Sequence, residues 1–210
     1  MTQFAFMNYL AHAYFSFRQP EWLVGNMISD FVKGRLQYDY PPAIQQGIRL
    51  HRAIDAFTDQ HEATRQAKEI FRPHYRLYAG AFVDVVYDHF LANDPSHFAT
   101  PGDLHAFSQF AYHTLLEYYD LLPERFQQMY YRMREQNWLY NYRERWGMEK
   151  SFGGVVYRSR YLEESATAFA LFEEHFEELQ QCYNSFERDL RSWLLTNEPN
   201  SLLKDPGGEG

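Results

Sequence analysis

Residues 80–92, GAFVDVVYDHFLA, leave a helix almost no side on which to face water. At 100° per residue, Phe82, Val83, Val85, Val86, Tyr87, Phe90 and Leu91 point in nearly every direction. The segment therefore reads as a buried central helix that the rest of the chain must surround. The surround is helical as well. Apolar spacing predicts helices over 4–17 and 21–33, with Gly34 as a C-cap, and over about 42–61, opened by the prolines of YPPAIQQG. A short helix to FRPH follows, then helices over 75–92, 103–120, 123–146 and about 160–195, with a turn at the glycine pair of SFGGVV. No run alternates well enough for a strand, and no internal repeat is visible. The expected fold class is all-α, a helical bundle forming one domain over 1–195, with 196–210 as a disordered, Pro/Gly-rich tail.

Composition bounds the function. Rings are abundant (18 Phe, 17 Tyr and 4 Trp in 210 residues) and serve helix interfaces and pocket walls alike. Cys182 is the only cysteine, which rules out an internal disulfide and suits a reducing cytoplasm. It reads as a packed small residue, not a nucleophile. No stretch reaches the ~18 apolar residues of a membrane span, and the apolar start lacks the basic region of a signal peptide. A net charge of −8 argues against coating nucleic acid. The charge is uneven, however. Residues 33–76 carry eight lysines and arginines against five acids, a local surplus suited to a phosphate or an acidic partner.

The chemistry is concentrated in the first 92 residues. Asp84 and Asp88 stack one turn apart on the buried helix, where two carboxylates cannot both ionise unless positive charge neutralises them. A divalent cation does this directly; salt bridges to arginine are the plainer alternative. In GIRLHRAIDAFTDQH, residues 47–61, Leu50, Ile54, Phe57 and His61 share a face. His51 and Asp55 lean over its rim at the i, i+4 spacing of metal ligands, while Asp59 falls further out, exposed or capping. Asp30 sits among apolar residues in GNMISDFVKGR, and Asn8 and His12 sit four apart in MNYLAHAYF. Each alone is the pattern of a satisfied polar group in a core; together they suggest one shared site. Imidazole with carboxylates suits Mn²⁺, Fe²⁺, Mg²⁺ or Zn²⁺. Ligation needs a neutral His51, so metal affinity is expected to weaken below about pH 6.

Four blocks, MNYLAH, GNMISDFVKG, GIRLHRAIDAFTD and VDVVYDHFL, resemble in order and spacing the signature of the acyl carrier protein phosphodiesterase family, over residues 7–92. That family is similar to the His-Asp metal-dependent phosphohydrolases. The resemblance implies a helical bundle that removes the 4′-phosphopantetheine arm from the serine of holo-acyl carrier protein, with a divalent metal of the Mn²⁺ type. It implies Asp30, His51, Asp55, Asp84 and Asp88 as metal-site residues, and His12, Asn26 and His89 as outer or substrate-facing groups. Here the His-Asp dipeptide of the wider superfamily is reversed, as Asp88-His89. On the chemistry of a phosphodiester, Lys33 and Arg52 would bind phosphoryl oxygens, and His12 or His89 would protonate the departing serine. Acyl carrier proteins are strongly acidic, so Lys33, Arg35, Arg49 and Arg52 are expected to rim the site and hold the carrier, with an exposed Arg49 and the acidic 160–180 helix facing away. Two other readings stay open: a phosphohydrolase of a small nucleotide or phosphoester, and a non-catalytic helical binding protein. An iron-binding bundle fits less well, because Glu-x-x-His pairs are missing from the candidate helices.

Overall fold

A computed structural model describes residues 9–197. The expected tail lies almost wholly outside them, as does Asn8. Among the described residues there is no strand, and eleven α-helices follow one another. They are α1 (Tyr9–Tyr14), α2 (Pro20–Ile28), α3 (Pro42–Gln60), α4 (Glu62–Tyr75), α5 (Ala79–Asn93), α6 (Pro101–Glu117), α7 (Glu124–Glu135), α8 (Trp138–Asn141), α9 (Arg145–Arg158), α10 (Ala166–Glu174) and α11 (Phe176–Thr196). None is long and apolar enough to cross a membrane.

The expected central helix is α5. It is buried at Ala79, Ala81–Val83 and Val85–Ala92 and packs against α1, α4, α9 and α11. Phe71 stacks on Phe82 at its start, with Phe152 edge-on to Phe82, and Phe90, Phe172 and Phe176 meet at its end. Pro42 opens α3 as expected, and Thr100 with Asp103 forms a reciprocal capping box at α6 behind Pro101.

Three expectations fail for local reasons. The glycine pair Gly153-Gly154 lies inside α9, because the packed Phe152 and Val155 outweigh the helix cost of two glycines. The 123–146 helix breaks at Asn137, which takes a left-handed φ of 48° and starts α8. The 160–195 helix is two, α10 and α11, hinged at His175, and residues 159–165 are not helical. Cys182 is buried, and burial raises its thiol pKa, as a packed residue requires.

The tightest helix crossing, α2 on α3, builds the site. A β-carbon on Gly25 would stand 2.0 Å from the Ile44 carbonyl oxygen, and one on Gly47 would stand 2.2 Å from that of Trp22. Only glycine at both positions lets the two backbones touch.

Candidate metal centre

The close crossing decides which face of α3 turns inward. Its buried residues are Ile44, Gly47, Ile48, Leu50, His51, Ile54 and Thr58, so His51 stands within the packed face and not at its rim. Phe57, expected on that face, is only half-buried. From the neighbouring α1 comes His12, and a 3-10 turn after α2 brings Asp30.

These groups meet. The imidazoles of His12 and His51 stack with centroids 3.9 Å apart and planes at 20°. Asp55 straddles them, one oxygen 3.3 Å from His12 Nε2 and the other 3.1 Å from His51 Nε2. Asp30 Oδ1 stands 3.4 Å from the same His51 nitrogen. Yet none of the four ring nitrogens has an aligned hydrogen-bond partner, although the two histidines are only 2% and 4% exposed. Buried nitrogens without partners are costly in a core. Donors bound at about 2.0–2.2 Å to one ion lie roughly 3.0–3.4 Å apart, which is the spacing seen here. Ligand atoms of His12, His51 and Asp55 all fall within 4.8 Å of one another, the separation of groups able to hold one metal ion. The donor set fits a divalent metal.

The charges are coupled. Burial alone would lower the pKa of His51, but Asp30 and Asp55 outweigh it and push the group up to about 9. Burial and the charge of His51 push His12 down, with Asp55 only partly opposing, so His12 is neutral, as a ligand must be. Asp55 is raised by burial but pulled well below the carboxylate range by the two imidazoles. With a folded pKa above the ordinary 6.5, His51 stabilises the metal-free protein fully below pH 6.5 and loses that contribution as pH rises through about 9. Metal-free protein is therefore expected to lose Tm between pH 6.5 and 9, and His51→Gln to flatten that slope. Metal affinity should keep rising to about pH 9, not level off above 6, because metal displaces the His51 proton. Titrations of both quantities across pH 5–10 check this.

The other candidates separate. Asp84 faces a cavity of about 680 Å³ that Asp30 and Asp55 also line. Burial first, then the Asp55 charge, raise its pKa well above the carboxylate range, the state of a carboxyl that ionises only beside a cation. Asp88, fully buried, points elsewhere. Its two oxygens accept the backbone N–H groups of Leu10 (3.0 Å) and Ala11 (2.8 Å), the first turn of α1. His89 donates its Nδ1–H to the Tyr142 carbonyl (2.7 Å) among the rings of Phe90, Phe172 and Phe176, away from the two stacked histidines. Asn26 donates to the His12 carbonyl (2.9 Å) and to Ser16 Oγ (3.1 Å), and so ties α2 to α1.

The basic residues divide likewise. Lys33 and Arg35 are exposed, beside exposed Leu36 and Tyr38. Arg52 donates to Gln37 Oε1 (2.6 Å) and to the Val32 carbonyl (3.1 Å), bracing the turn that follows Asp30. Arg49, expected to be exposed, is half-buried with its Nε hidden. Asp59 is exposed and pairs with Lys68 at 2.8 Å.

A second, smaller cavity of about 320 Å³ also opens on Asp30 and Asp55, between Lys33, His51 and Arg52. A larger hollow, about 1120 Å³, lies apart from both, between the start of α11 and residues 89–95. Glu173, Glu174, Glu177 and Glu178 line it, so these acids do not face the metal centre. In the sequence Lys68, Arg72 and Arg76 count only as surplus charge, yet they line the 680 Å³ cavity. Their i, i+4 spacing is the signal for a shared helix face.

A model of the family described as acyl carrier protein phosphodiesterase matches residues 7–190. A Yersinia pestis protein named acyl carrier protein phosphodiesterase is 32% identical over 180 residues, 86% of this chain and 93% of that one. A Klebsiella pneumoniae protein of the same name is 32% identical over 174 residues, 83% of this chain and 90% of that one. A Photorhabdus laumondii relative, also so named, is 29% identical over 180 residues, 86% of this chain and 91% of that one. No solved structure matches the chain.

Proposed function

Because the chain belongs to the acyl carrier protein phosphodiesterase family, we propose that it hydrolyses the phosphodiester linking 4′-phosphopantetheine to the serine of holo-acyl carrier protein. The observation that carries the reading is the buried pair of imidazoles, His12 and His51, without aligned hydrogen-bond partners and straddled by Asp55. His12, His51, Asp55 and Asp30 would hold a divalent metal, with Asp84 across the cavity adding the charge such an ion compensates. Mn²⁺ is the proposed ion, and Mg²⁺, Fe²⁺ and Zn²⁺ suit the same donors. We read the centre as a variant of the His-Asp phosphohydrolase arrangement, supported by histidine and aspartate donors on adjoining helices.

Such a metal, when bound, lowers the pKa of water and offsets the charge growing on the phosphoryl oxygens. The chain's residues do the rest. Asp55 fixes both imidazoles, and neutral His12 presents a nitrogen lone pair. Asp88 anchors the turn of α1 that carries His12. Water adds its hydroxyl to phosphorus, the bond from phosphorus to the serine oxygen breaks, and that oxygen leaves protonated, giving apo-carrier and 4′-phosphopantetheine.

The carrier contact falls on the side of the smaller cavity. Of Lys33, Arg35, Arg49 and Arg52, the first two are exposed, and exposed Leu36 and Tyr38 lie beside them. We assign the docking to Lys33 and Arg35, with Arg52 holding their turn in place. The reaction belongs in the cytoplasm, where a lone buried cysteine stays reduced.

Incubating the protein and Mn²⁺ with holo-carrier and following its mass tests the reading. Loss of the phosphopantetheine mass is the expected result. An unchanged carrier, with a small phosphodiester hydrolysed, would move the assignment to the small-phosphoester class. Lys33→Glu with Arg35→Glu should raise KM for holo-carrier and flatten its salt dependence, because screened charge steers encounter. Hydrolysis of a small phosphodiester should barely change in the same variant.

A further inference from the structure

Two cavities open on Asp30 and Asp55, and their outer walls offer different chemistry. The smaller, about 320 Å³, is flanked by Lys33 and Arg52. The larger, about 680 Å³, is lined by Asp30, Asp55 and Asp84 together with Lys68, Arg72 and Arg76. Three cations spaced by four residues run down the last two turns of α4 onto the turn that follows.

That turn is built unusually. Arg76 takes φ 49° and ψ −116°, a conformation in which a residue with a β-carbon is strained. Its consequence is local: Leu77 follows with 93% of its surface exposed, on the wall of the same cavity. Lys68 is the inner member of the row. It lies across Gly80, where a β-carbon would approach its Cε to 3.2 Å, and it pairs with Asp59 at 2.8 Å. Arg72 is held outside by Glu69 at 2.6 Å. These side-chain partners are exposed carboxylates, which an incoming anion can displace at little cost.

A phosphodiester substrate of the proposed kind is asymmetric about phosphorus. On one side is a protein serine. On the other is a flexible arm whose first carbons are a methylene and a carbon bearing two methyl groups, followed by a hydroxyl, two amides and a thiol. The larger cavity suits the arm in volume, since sites for ligands of this size run from ~300 to 1,000 Å³. It also places cations for the phosphate next to a bare leucine for the two methyls.

Resting on the reading above, we propose that the 4′-phosphopantetheine arm occupies the larger cavity, its phosphate held by Lys68, Arg72 and Arg76 and its dimethyl carbon against Leu77, while the carrier sits over the smaller one. The cation row then neutralises the phosphomonoester as it forms and keeps it bound after the serine departs. The substrate thus has one direction through the site.

Binding of 4′-phosphopantetheine, pantetheine and inorganic phosphate to the metal-free protein is the test, read by calorimetry, with inhibition of holo-carrier hydrolysis as the second readout. Wild type should bind phosphopantetheine more tightly than phosphate, and both better than pantetheine. Arg72→Gln with Arg76→Gln should weaken phosphopantetheine and phosphate about tenfold or more, the loss of charge-assisted bonds. Leu77→Ser, a surface change that leaves the fold intact, should weaken phosphopantetheine about three- to tenfold and leave phosphate unchanged. Lys33→Gln with Arg35→Gln should leave the calorimetric constants for phosphopantetheine and phosphate unchanged while raising KM for holo-carrier. If that pair weakens phosphopantetheine and the Arg72/Arg76 pair does not, the arm lies in the smaller cavity and the placement is overturned. Wild type that fails to bind phosphopantetheine overturns it as well. Phosphopantetheine bound through Arg72, Arg76 and Leu77 by a protein that leaves holo-carrier intact supports the placement and puts the failure on the hydrolytic reading.

Discussion

Asp55→Asn should abolish metal binding and activity together while leaving the helical content unchanged. Among the described residues Asp55 is the one carboxylate that reaches both imidazoles, at 3.3 Å from His12 and 3.1 Å from His51. Asparagine keeps its shape and removes its charge. Losing even an outer partner of a metal ligand costs about 10–100-fold in affinity or activity, so losing a direct donor should cost at least about 100-fold in metal affinity. Turnover should drop with it, by roughly 10³-fold or more, since the bound ion supplies the positive charge a phosphoryl group needs at this point. Without the Asp55 charge, His51 should also titrate well below its value of about 9. Metal content by mass spectrometry, activity on holo-carrier and an NMR titration of His51 read the three effects. Full metal occupancy in the variant would falsify the centre as drawn. Asp59→Ala is the contrast: Asp59 is exposed and pairs with Lys68, so metal affinity should stay within about twofold.

Asp88→Ala should be the most destabilising of the aspartate substitutions, and for a reason unrelated to metal. From sequence, removing a buried charge promises a neutral or stabilising change. In the fold, both Asp88 oxygens accept backbone N–H groups at the start of α1. Alanine leaves two donors without partners, at about 1–3 kcal/mol each, so a loss of roughly 2–6 kcal/mol is expected. Burial raises the Asp88 pKa against the pull of those two amides. The milder Asp88→Asn should recover part of the loss, because the asparagine amide oxygen can still accept one of the two bonds. Chemical denaturation measures the difference. Activity should fall in Asp88→Ala through a shifted His12, with kcat affected more than KM. A stability equal to wild type would show that water or a relaxed α1 satisfies the Leu10 and Ala11 amides.

What the sequence settled was what one helix can settle alone. The apolar circumference of residues 80–92 required a central helix, and α5 is that helix. His51 and Asp55 had to share a side because four residues make about one turn. The four blocks carried the family. Helix ends were legible where a proline marks them, as at Pro42, whereas the capping box at Thr100 set the start of α6 two residues before the expected one. They were misread where packing overrode propensity, as at Gly153 and Gly154, or where a single left-handed residue made the break, as at Asn137.

What only the tertiary structure decided was which helices face one another. Asp84 and Asp88 look equivalent on α5, yet one looks into a cavity and the other caps α1, because the two point toward different neighbours. His12 met His51 because α2, which crosses α3 closely at Gly25 and Gly47, also holds α1 through Asn26, and no pattern within any one helix encodes that meeting. Arg49 and Arg52 belong to the same basic stretch as Lys33 and Arg35. The contacts of the folded chain turned one inward, set the other to brace a turn, and left the last two in solvent. Periodicity fixes the face of a residue on its own helix. The identity of what that face meets comes from the summed packing of the whole chain.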